Sequence, residues 1–215
     1  TASSELPFAG HPTLCAAFVL GAPMQLGVIN LETGAGIVPV ELEREGARIV
    51  FGRMAQSLPT VGAYERADEL VAALGLERSE LPVEIYDNGV PHVYVALPSP
   101  EAVAALRPSF AALETFAPVG INCFAGERTL WKTRMFSPGG MVTEDPATGS
   151  AAGPLCLHLI RHGRVGFGEQ IAISQGAEIG RPSKLYARVD GEGDRVDRVE
   201  VGGSAVVVAR GEFRL

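Results

Sequence analysis

Two short apolar runs, each entered through a turn that contains glycine, stand out in the pattern of hydrophobic and polar positions. Residues 14–20 form the first run and residues 155–160 form the second. Pro12 suits the first turn of a helix, where its missing N–H is not needed, and Gly21 and Gly163 suit helix ends. The pattern therefore predicts two short helices. Because the first run is apolar on every face, its helix is expected to be buried all round, and the second helix is expected to be buried as well.

Between and after these helices, alternating apolar and polar positions predict short strands. The clearest are a meander over residues 26–51 and a strand pair over residues 82–97. A segment with proline and glycine, residues 56–64, predicts a boundary between an N-terminal lobe (1–60) and a C-terminal lobe (61–215). Strands and helices do not alternate regularly, which argues against a dinucleotide-binding βαβ fold. We expect a mostly antiparallel sheet wrapped around one buried helix in each lobe.

The composition narrows the class of protein. The 215 residues are 47% hydrophobic and 20% charged, which is typical of a globular chain. The net charge of −7 argues against a nucleic-acid partner. No apolar run approaches the roughly 18–20 residues that span a bilayer, so no membrane association is expected. Three cysteines without metal-ligand spacing predict reduced thiols in a cytoplasmic protein.

The segment before the second helix indicates an anion-binding site. It reads Asp-Pro-Ala-Thr-Gly-Ser, residues 145–150, so its backbone is lightly covered by side chains. The first N–H groups of a helix have no intrahelical partner, and the helix dipole adds a partial positive charge there. Two such helix starts that face one another across a cleft would bind a small carboxylate. The residues expected to bind it are Gly10, Thr148, Gly149, Ser150 and Ala151.

Three polar side chains at the helix starts are candidates for chemistry, and each has a structural alternative. His11 is an acid, a base or a substrate-binding group, or else a capping or core histidine. Asp145 is a carboxylate that contacts substrate or orients His11, or else an Asx-turn or N-cap residue. Ser150 and Thr148 are helix caps, or substrate contacts if the loop lines a cleft.

Other reactive residue types are assigned structural roles. Cys15 and Cys156 lie a turn or more inside the predicted helices, so burial explains them better than a pair of catalytic thiols. His158 and His162 are four residues apart, but His162 belongs to the last turn of its helix. We therefore expect no metal site.

Taken together, these segments resemble the PhzF-like family of phenazine biosynthesis, which shares the diaminopimelate-epimerase fold. The matching motifs are Glu-Leu-Pro-Phe-Ala-Gly-His-Pro-Thr (5–13), Arg-Met-Phe (134–136), Glu-Asp-Pro-Ala-Thr-Gly-Ser-Ala (144–151), Gln-Gly (175–176), Gly-Arg-Pro-Ser (180–183) and Val-Gly-Gly (201–203). The resemblance implies an α+β fold of two lobes, each an antiparallel barrel or sheet around a central helix. It also implies an active site between the lobes, a cofactor-free isomerase and a homodimer.

The resemblance also implies roles for single residues. His11, Asp145 and Ser150 match the family's assisting histidine, aspartate and serine. The family's proton-transferring glutamate matches no position from Thr1 onward, so we expect it upstream, with an incomplete N-terminal lobe and an inactive chain in its absence. Two alternatives stay open. One is a catalytically silent homologue that binds a small molecule. The other is a two-base epimerase, which predicts a thiol at each helix start, where the residues are His11 and Ser150.

Overall fold

The structure, a computed structural model, describes residues 9–34, 36–140, 142–209 and 211–212. Within these residues the α-helices are α1 (Gly10–Met24), α2 (Ala67–Ala73), α3 (Pro100–Ala105), α4 (Phe110–Leu113) and α5 (Gly149–Arg161). The strands are β1 (Val28–Thr33), β2 (Gly36–Glu45), β3 (Arg48–Gln56), β4 (Thr60–Ala63), β5 (Glu84–Asp87), β6 (Pro91–Ala96), β7 (Gly120–Glu127), β8 (Leu130–Phe136), β9 (Glu144–Asp145), β10 (Gln170–Gln175), β11 (Ser183–Glu192) and β12 (Arg195–Gly203). Two 3₁₀ turns, Glu114–Phe116 and Ala177–Ile179, complete the elements.

All the described strands belong to one sheet. Its order is β1-β2-β3-β12-β11-β10-β8-β7-β6-β5-β4, and β9 pairs with β8 beside this path. The pairs are antiparallel except for β6 with β7 and β8 with β10, which are parallel. The expected α+β class and the predominance of antiparallel pairing are confirmed. Of the two arrangements expected for each lobe, the structure has a sheet: in the described residues its two edge strands, β1 and β4, do not pair into a closed barrel.

The sheet is continuous across the predicted lobe boundary. The meander of β1, β2 and β3 joins the remaining strands through antiparallel pairing of β3 with β12, in which Met54 lies opposite Val201. Helix α1 packs on the meander, whereas α5 packs on β11 and β12. One helix thus lies on each part of the sheet, and side chains of both share one hydrophobic core. The division between residues 60 and 61 stays a prediction.

Helix α1 corrects two expectations. It does not end at Gly21 but continues to Met24, and Gln25, with a φ of 53°, ends it in the left-handed region. Gly21 lies inside the helix, and glycine suits this position because a Cβ there would collide with the Leu42 side chain of β2 unless that side chain moved. The helix is also not buried all round, since the side chains of Val19 and Met24 are more than half exposed. Its core contact runs along one side only.

Helix α5 is buried from Gly149 through Leu159, as predicted. It ends as expected too, with Gly163 beyond its last turn at a φ of 64°. Pro154, however, lies in the second turn of α5, beyond the first turn in which a helix tolerates proline. Because proline has no N–H, the Ser150 carbonyl lacks its usual donor four residues along the helix. The side chain of Asn88 replaces this donor, with Nδ2 at 2.9 Å from the Ser150 oxygen.

A buried ion pair holds the segment that leads into α5. Arg134 of β8 donates to both carboxylate oxygens of Glu144, from Nε and from Nη2, at 2.8 Å each. Its Nη1 donates to the Leu106 carbonyl oxygen at 2.7 Å. The hydrogen bonds to Glu144 raise the pKa of Arg134 above its usual value. This pair fixes Glu144, and with it the neighbouring Asp145, against β8.

Within the described residues, none of the helices combines the length and the apolar character that crossing a membrane requires.

Removing one partner of the Arg134–Glu144 pair should destabilise the fold strongly. Arg134→Met leaves the buried carboxylate without its cation, which we expect to lower the free energy of unfolding by about 3–5 kcal/mol. Urea denaturation monitored by circular dichroism measures this change. The matched control is Arg195→Met, because the ion pair of Arg195 with Asp197 lies at the surface and should contribute little. Equal unfolding midpoints for the two variants would contradict the assigned role.

Candidate functional site

The two predicted helix starts lie in direct contact. A Cβ added at Gly10 would lie 2.9 Å from the Gly149 Cα, and one added at Gly149 would lie 3.1 Å from the Gly10 Cα. At Gly10 the approach is closer than real Cβ atoms make, and at Gly149 it is tighter than most real Cβ contacts, so the contact favours glycine at both positions. The first turns of α1 and α5 therefore meet backbone to backbone. We call the contact of Gly10 with Gly149 the helix-start junction.

Neither helix start at the junction is capped by a side chain. The N-cap residues are Ala9 for α1 and Thr148 for α5, and neither makes a side-chain cap hydrogen bond. The positive ends of two helix dipoles thus face the same place without a side-chain acceptor to neutralise them. Among the described residues, the N–H groups of Gly149 and Ser150 have no hydrogen-bond acceptor. This arrangement favours an anion at the junction.

Asp145 is held by Thr148 and Gln175. The Thr148 hydroxyl donates to Asp145 Oδ2 at 2.6 Å and accepts from Gln175 Nε2 at 2.8 Å. Gln175 Nε2 also donates to the Asp145 carbonyl at 2.7 Å, and its Oε1 accepts from the Thr148 N–H. Of the structural alternatives for Asp145, the N-cap is wrong, because Thr148 is the N-cap of α5 and its hydroxyl donates to Asp145. The carboxylate is fixed beside the start of α5.

Two residues of the predicted carboxylate-binding set use their donors within the protein. The N–H and the hydroxyl of Thr148 are already used by Gln175 and Asp145. The N–H of Ala151 donates to the Thr148 carbonyl at 3.2 Å. Neither residue has a free backbone donor, so Gly10, Gly149 and Ser150 are the positions of the predicted set that stay available.

Ser150 is part of a second network, which lies beneath the junction. Its Oγ is 2.9 Å from Nε2 of His92, a fully buried residue of β6. The other ring nitrogen of His92, Nδ1, is 3.3 Å from Nδ2 of Asn122 on β7. Burial lowers the pKa of His92 to about 4, because the charged ring would lose its hydration. His92 is therefore a neutral ring at physiological pH.

Two further side chains fix the first turn of α5 from below. Gln56 Nε2 of β3 donates to the Gly149 carbonyl at 2.8 Å, and Tyr94 Oη of β6 donates to the Ala151 carbonyl at 2.7 Å. Each of these donors is buried. The start of α5 is consequently held at a defined height and angle against the sheet, which a binding site needs.

His11 lies at the junction with its side chain exposed. Its backbone nitrogen would be 3.4 Å from a Cβ added at Gly149, so it borders the start of α5 directly. Among the described residues no hydrogen bond joins His11 to Asp145, whose side chain accepts from Thr148. The structure thus brings His11 to the same junction as Ser150, while the orientation of His11 by Asp145 stays a prediction.

A cluster that sequence reasoning missed lies at the other end of α5. Glu84 Oε2 of β5 is 3.2 Å from His158 Nδ1 and 3.1 Å from His162 Nε2, and it accepts from Tyr86 Oη at 2.8 Å. Burial alone would raise the pKa of Glu84, but these hydrogen bonds, with the charge of Arg161, hold it at about 2. Burial lowers the pKa of His158 to about 4.

The donor set of this cluster matches that of many metal sites, but its surroundings do not. A metal-bound histidine normally donates its other N–H to an acceptor, whereas the buried Nε2 of His158 has no partner among the described residues. The Arg161 guanidinium also lies 3.4 Å from the Glu84 carboxylate and already compensates its charge. Hydrogen bonding between α5 and β5 accounts for the cluster.

The surroundings of Cys15 and Cys156 support a structural role for these two residues. Burial raises the pKa of the Cys156 thiol to about 12, and it raises the pKa of Cys15 as well. Both are therefore thiols at neutral pH rather than reactive thiolates. Neither stands at the helix-start junction, so the thiols that a two-base epimerase predicts are not there.

Sequence reasoning also missed the polar residues that support α5 from the sheet. His92 and Tyr94 lie in the predicted strand pair over residues 82–97, where alternation marks them only as positions on one face. A polar residue at an inward position is the one available signal, because a buried polar group requires a partner. Proline within the second predicted helix is a second signal, since it requires an outside donor such as Asn88.

Comparisons with known proteins show the family and the fold of the chain. The family model for phenazine biosynthesis-like protein matches residues 1–211. Proteins named trans-2,3-dihydro-3-hydroxyanthranilate isomerase, from Pseudomonas chlororaphis and Pseudomonas aeruginosa, are 51% and 50% identical over 215 residues, which is 100% of this chain and 77% of each relative. A solved structure from Pseudomonas aeruginosa, described as a predicted epimerase, is 29% identical with a TM-score of 0.81, covering 99% of this chain and 77% of its own. The expected epimerase-like fold is confirmed.

Adding one methyl group at the helix-start junction should cost stability. In Gly10→Ala the new Cβ meets the Gly149 backbone and Met54 Cε, each at 2.9 Å, so the two helix starts must move apart. We expect the free energy of unfolding to fall by about 1–3 kcal/mol. Gly27→Ala is the matched control, because a Cβ there meets nothing within 4 Å. Thermal unfolding compares the two, and equal stability would show that the junction is not tightly packed.

The buried histidines should make stability depend on pH. The pKa of His158 is about 4 in the folded protein and about 6.5 when unfolded, so between these values the unfolded chain binds the extra proton. The contribution of His158 to the free energy of unfolding is fully present above pH 6.5 and is lost as the pH falls toward 4. The expected loss from pH 7 to pH 5 is at most about 2 kcal/mol for this one residue. Urea unfolding measures the free energy of unfolding at pH 7 and pH 5, and His158→Leu should lose less of it than the unsubstituted protein does. An identical loss in both proteins would contradict the lowered pKa of His158.

Proposed function

Because the chain belongs to the phenazine biosynthesis-like family, we propose that it isomerises a small carboxylated metabolite by moving a proton without a cofactor. Its relatives at about half identity are isomerases, and the isomerase class implied by the sequence resemblance is confirmed. Their name makes trans-2,3-dihydro-3-hydroxyanthranilate, or a close analogue, the substrate that we propose for this chain.

The helix-start junction is the observation that carries this proposal. Two uncapped helix starts meet at Gly10 and Gly149, and three groups capable of proton transfer or hydrogen bonding surround them: His11, Asp145 and Ser150. We assign the substrate carboxylate to the N–H groups of Gly10, Gly149 and Ser150. The positive helix ends would favour the anion there.

The proposed chemistry moves one proton between two carbon atoms of the ring. A single carboxylate takes the proton from one carbon and returns it to another, so its charge is restored at the end of each cycle. Following the family resemblance, we assign this step to a glutamate that precedes Thr1. Asp145, His11 and Ser150 would hold the substrate in place, and the hydroxyl of Thr148 fixes the carboxylate of Asp145.

Three further expectations accompany the proposal. A homodimer is proposed from the family resemblance, and the absence of a cofactor follows from a mechanism in which one carboxylate transfers the proton. A cytoplasmic location is the expectation for a chain with unpaired thiols. Analytical ultracentrifugation and activity in the presence of a chelator test the first two.

The site assignment predicts a selective loss of turnover. In a protein that includes the residues before Thr1, Asp145→Asn and His11→Ala should each lower the isomerisation rate by about 100-fold or more, because groups that position the substrate or its proton are removed. Turnover and incorporation of solvent deuterium into the substrate measure the effect. Asp68→Asn is the matched control, since Asp68 is exposed on α2.

Unchanged turnover in both site variants would refute the assignment. If the unsubstituted protein binds the substrate but neither converts it to product nor incorporates deuterium, the chain is a binding protein rather than an isomerase.

A further inference from the structure

His92 has a defined place under the start of α5. Its side chain is 1% exposed, and its ring rests against Gly120, where a Cβ would come within 2.5 Å of Nδ1. The ring therefore has one orientation, with Nε2 toward Ser150 and Nδ1 toward Asn122. Which nitrogen bears the proton decides what the Ser150 hydroxyl can do.

The surroundings of Asn122 fix the direction of its amide. Nδ2 lies 3.3 Å from the Gly120 carbonyl oxygen and 3.4 Å from the Val93 carbonyl oxygen. An amide oxygen at this position would face two carbonyl lone pairs, so the nitrogen must occupy it. Asn122 consequently presents only N–H groups to this side.

The orientation of Asn122 determines the tautomer of His92. Its Nδ1 is 3.3 Å from a nitrogen that can only donate, so Nδ1 must be the acceptor and carry no proton. The ring is neutral, because burial lowers its pKa to about 4. The one remaining ring proton is on Nε2, and it points at Ser150 Oγ, 2.9 Å away.

We propose that His92 is a positioning residue that fixes the Ser150 hydroxyl as a donor toward the helix-start junction. Since Oγ accepts the proton of Nε2, the hydroxyl cannot donate its own proton to His92. The O–H is left to donate to a ligand. This inference rests on the proposed function for its catalytic meaning, although the tautomer itself does not.

The direction of this hydrogen bond excludes one reading of the pair. In a nucleophilic serine site, the histidine accepts the serine proton and activates the oxygen. Here the direction is reversed, so Ser150 is not activated for attack and no covalent intermediate forms on it. A serine that donates instead favours an oxygen with negative charge, such as a substrate carboxylate or an oxygen that gains charge during proton transfer.

The tautomer can be measured without any assay of activity. Two-bond ¹H–¹⁵N correlation spectra of the chain, labelled with ¹⁵N-histidine and assigned through His92→Gln, distinguish a protonated from an unprotonated ring nitrogen. We expect His92 to carry its proton on Nε2 alone at pH 7. A proton on Nδ1, or on both nitrogens, would overturn the inference whether or not the chain is an isomerase.

The functional part is tested with paired variants of the protein used for the turnover measurements. His92→Leu removes the donor to Ser150 and should lower kcat at least tenfold, toward the value of Ser150→Ala. His92→Gln should recover most of the activity, because its amide nitrogen and oxygen can replace Nε2 and Nδ1 in turn. In a Ser150→Ala background, His92→Leu should lower kcat little further, since its route of action is already removed.

The outcomes separate the inference from the proposed function. If Ser150→Ala lowers kcat while His92→Leu does not, His92 does not act through Ser150 and the inference fails. If His92→Leu lowers kcat equally with and without Ser150, its role is structural and the inference again fails. If Ser150→Ala leaves turnover unchanged, the proposed site fails, and the spectrum still decides the direction of the hydrogen bond.

Discussion

The contact between the Gly10 and Gly149 backbones is the constraint on which the rest of the site depends. It places the starts of α1 and α5 side by side, although each helix packs on its own part of the sheet. A side chain at Gly10 would separate them and one at Gly149 would crowd them, because each Cβ would fall about 3 Å from backbone atoms. Like ends of two helix dipoles repel, so the contact has an electrostatic cost that a bound anion would relieve. The repulsion between the two helix starts, and its relief by a bound anion, connect the fold to the proposed function.

The start of α5 is held in this unfavourable place by donors from the sheet. Gln56, Asn88 and Tyr94 bind three successive carbonyl groups of its first turn, Gly149 through Ala151. These side chains occupy the side of the turn that faces the sheet. They contact its carbonyl groups and not the N–H groups at the junction. Pro154 forms part of the same design, because its missing N–H gives Asn88 a carbonyl to bind. The buried Arg134–Glu144 pair and the Thr148–Gln175 contacts fix the preceding segment, so that Asp145 arrives beside the helix start.

Much of the fold follows from local rules that the sequence displays openly. The strand meander, the pairing of β5 with β6 and the burial of α5 follow from alternation, turn residues and an uninterrupted apolar run. The errors arise where a distant part of the chain decides. The sequence suggests that Gly21 ends a helix, but Gly21 lies inside α1, where the Leu42 side chain of β2 leaves little room for a Cβ. Gly10 and Gly149 are suited to their positions because their backbones are in contact. His92, Asn122 and the Glu84 cluster became visible only once the sheet order was known, because their partners lie on other strands or on α5. Thr148 and Ala151 were expected to bind a ligand, but their donors are used by Gln175, Asp145 and the Thr148 carbonyl.

The proposed function requires that the helix-start junction bind a carboxylate. The most direct test is a titration of the ¹⁵N-labelled protein with anthranilate, a stable carboxylate of the proposed ring type, followed by amide chemical shifts. The account predicts saturable shifts that are largest for the amides of Gly10, His11, Gly149 and Ser150 and that vanish when benzyl alcohol, which has no carboxylate, replaces anthranilate. Shifts centred on another part of the sheet, or equal shifts with the uncharged compound, would contradict it.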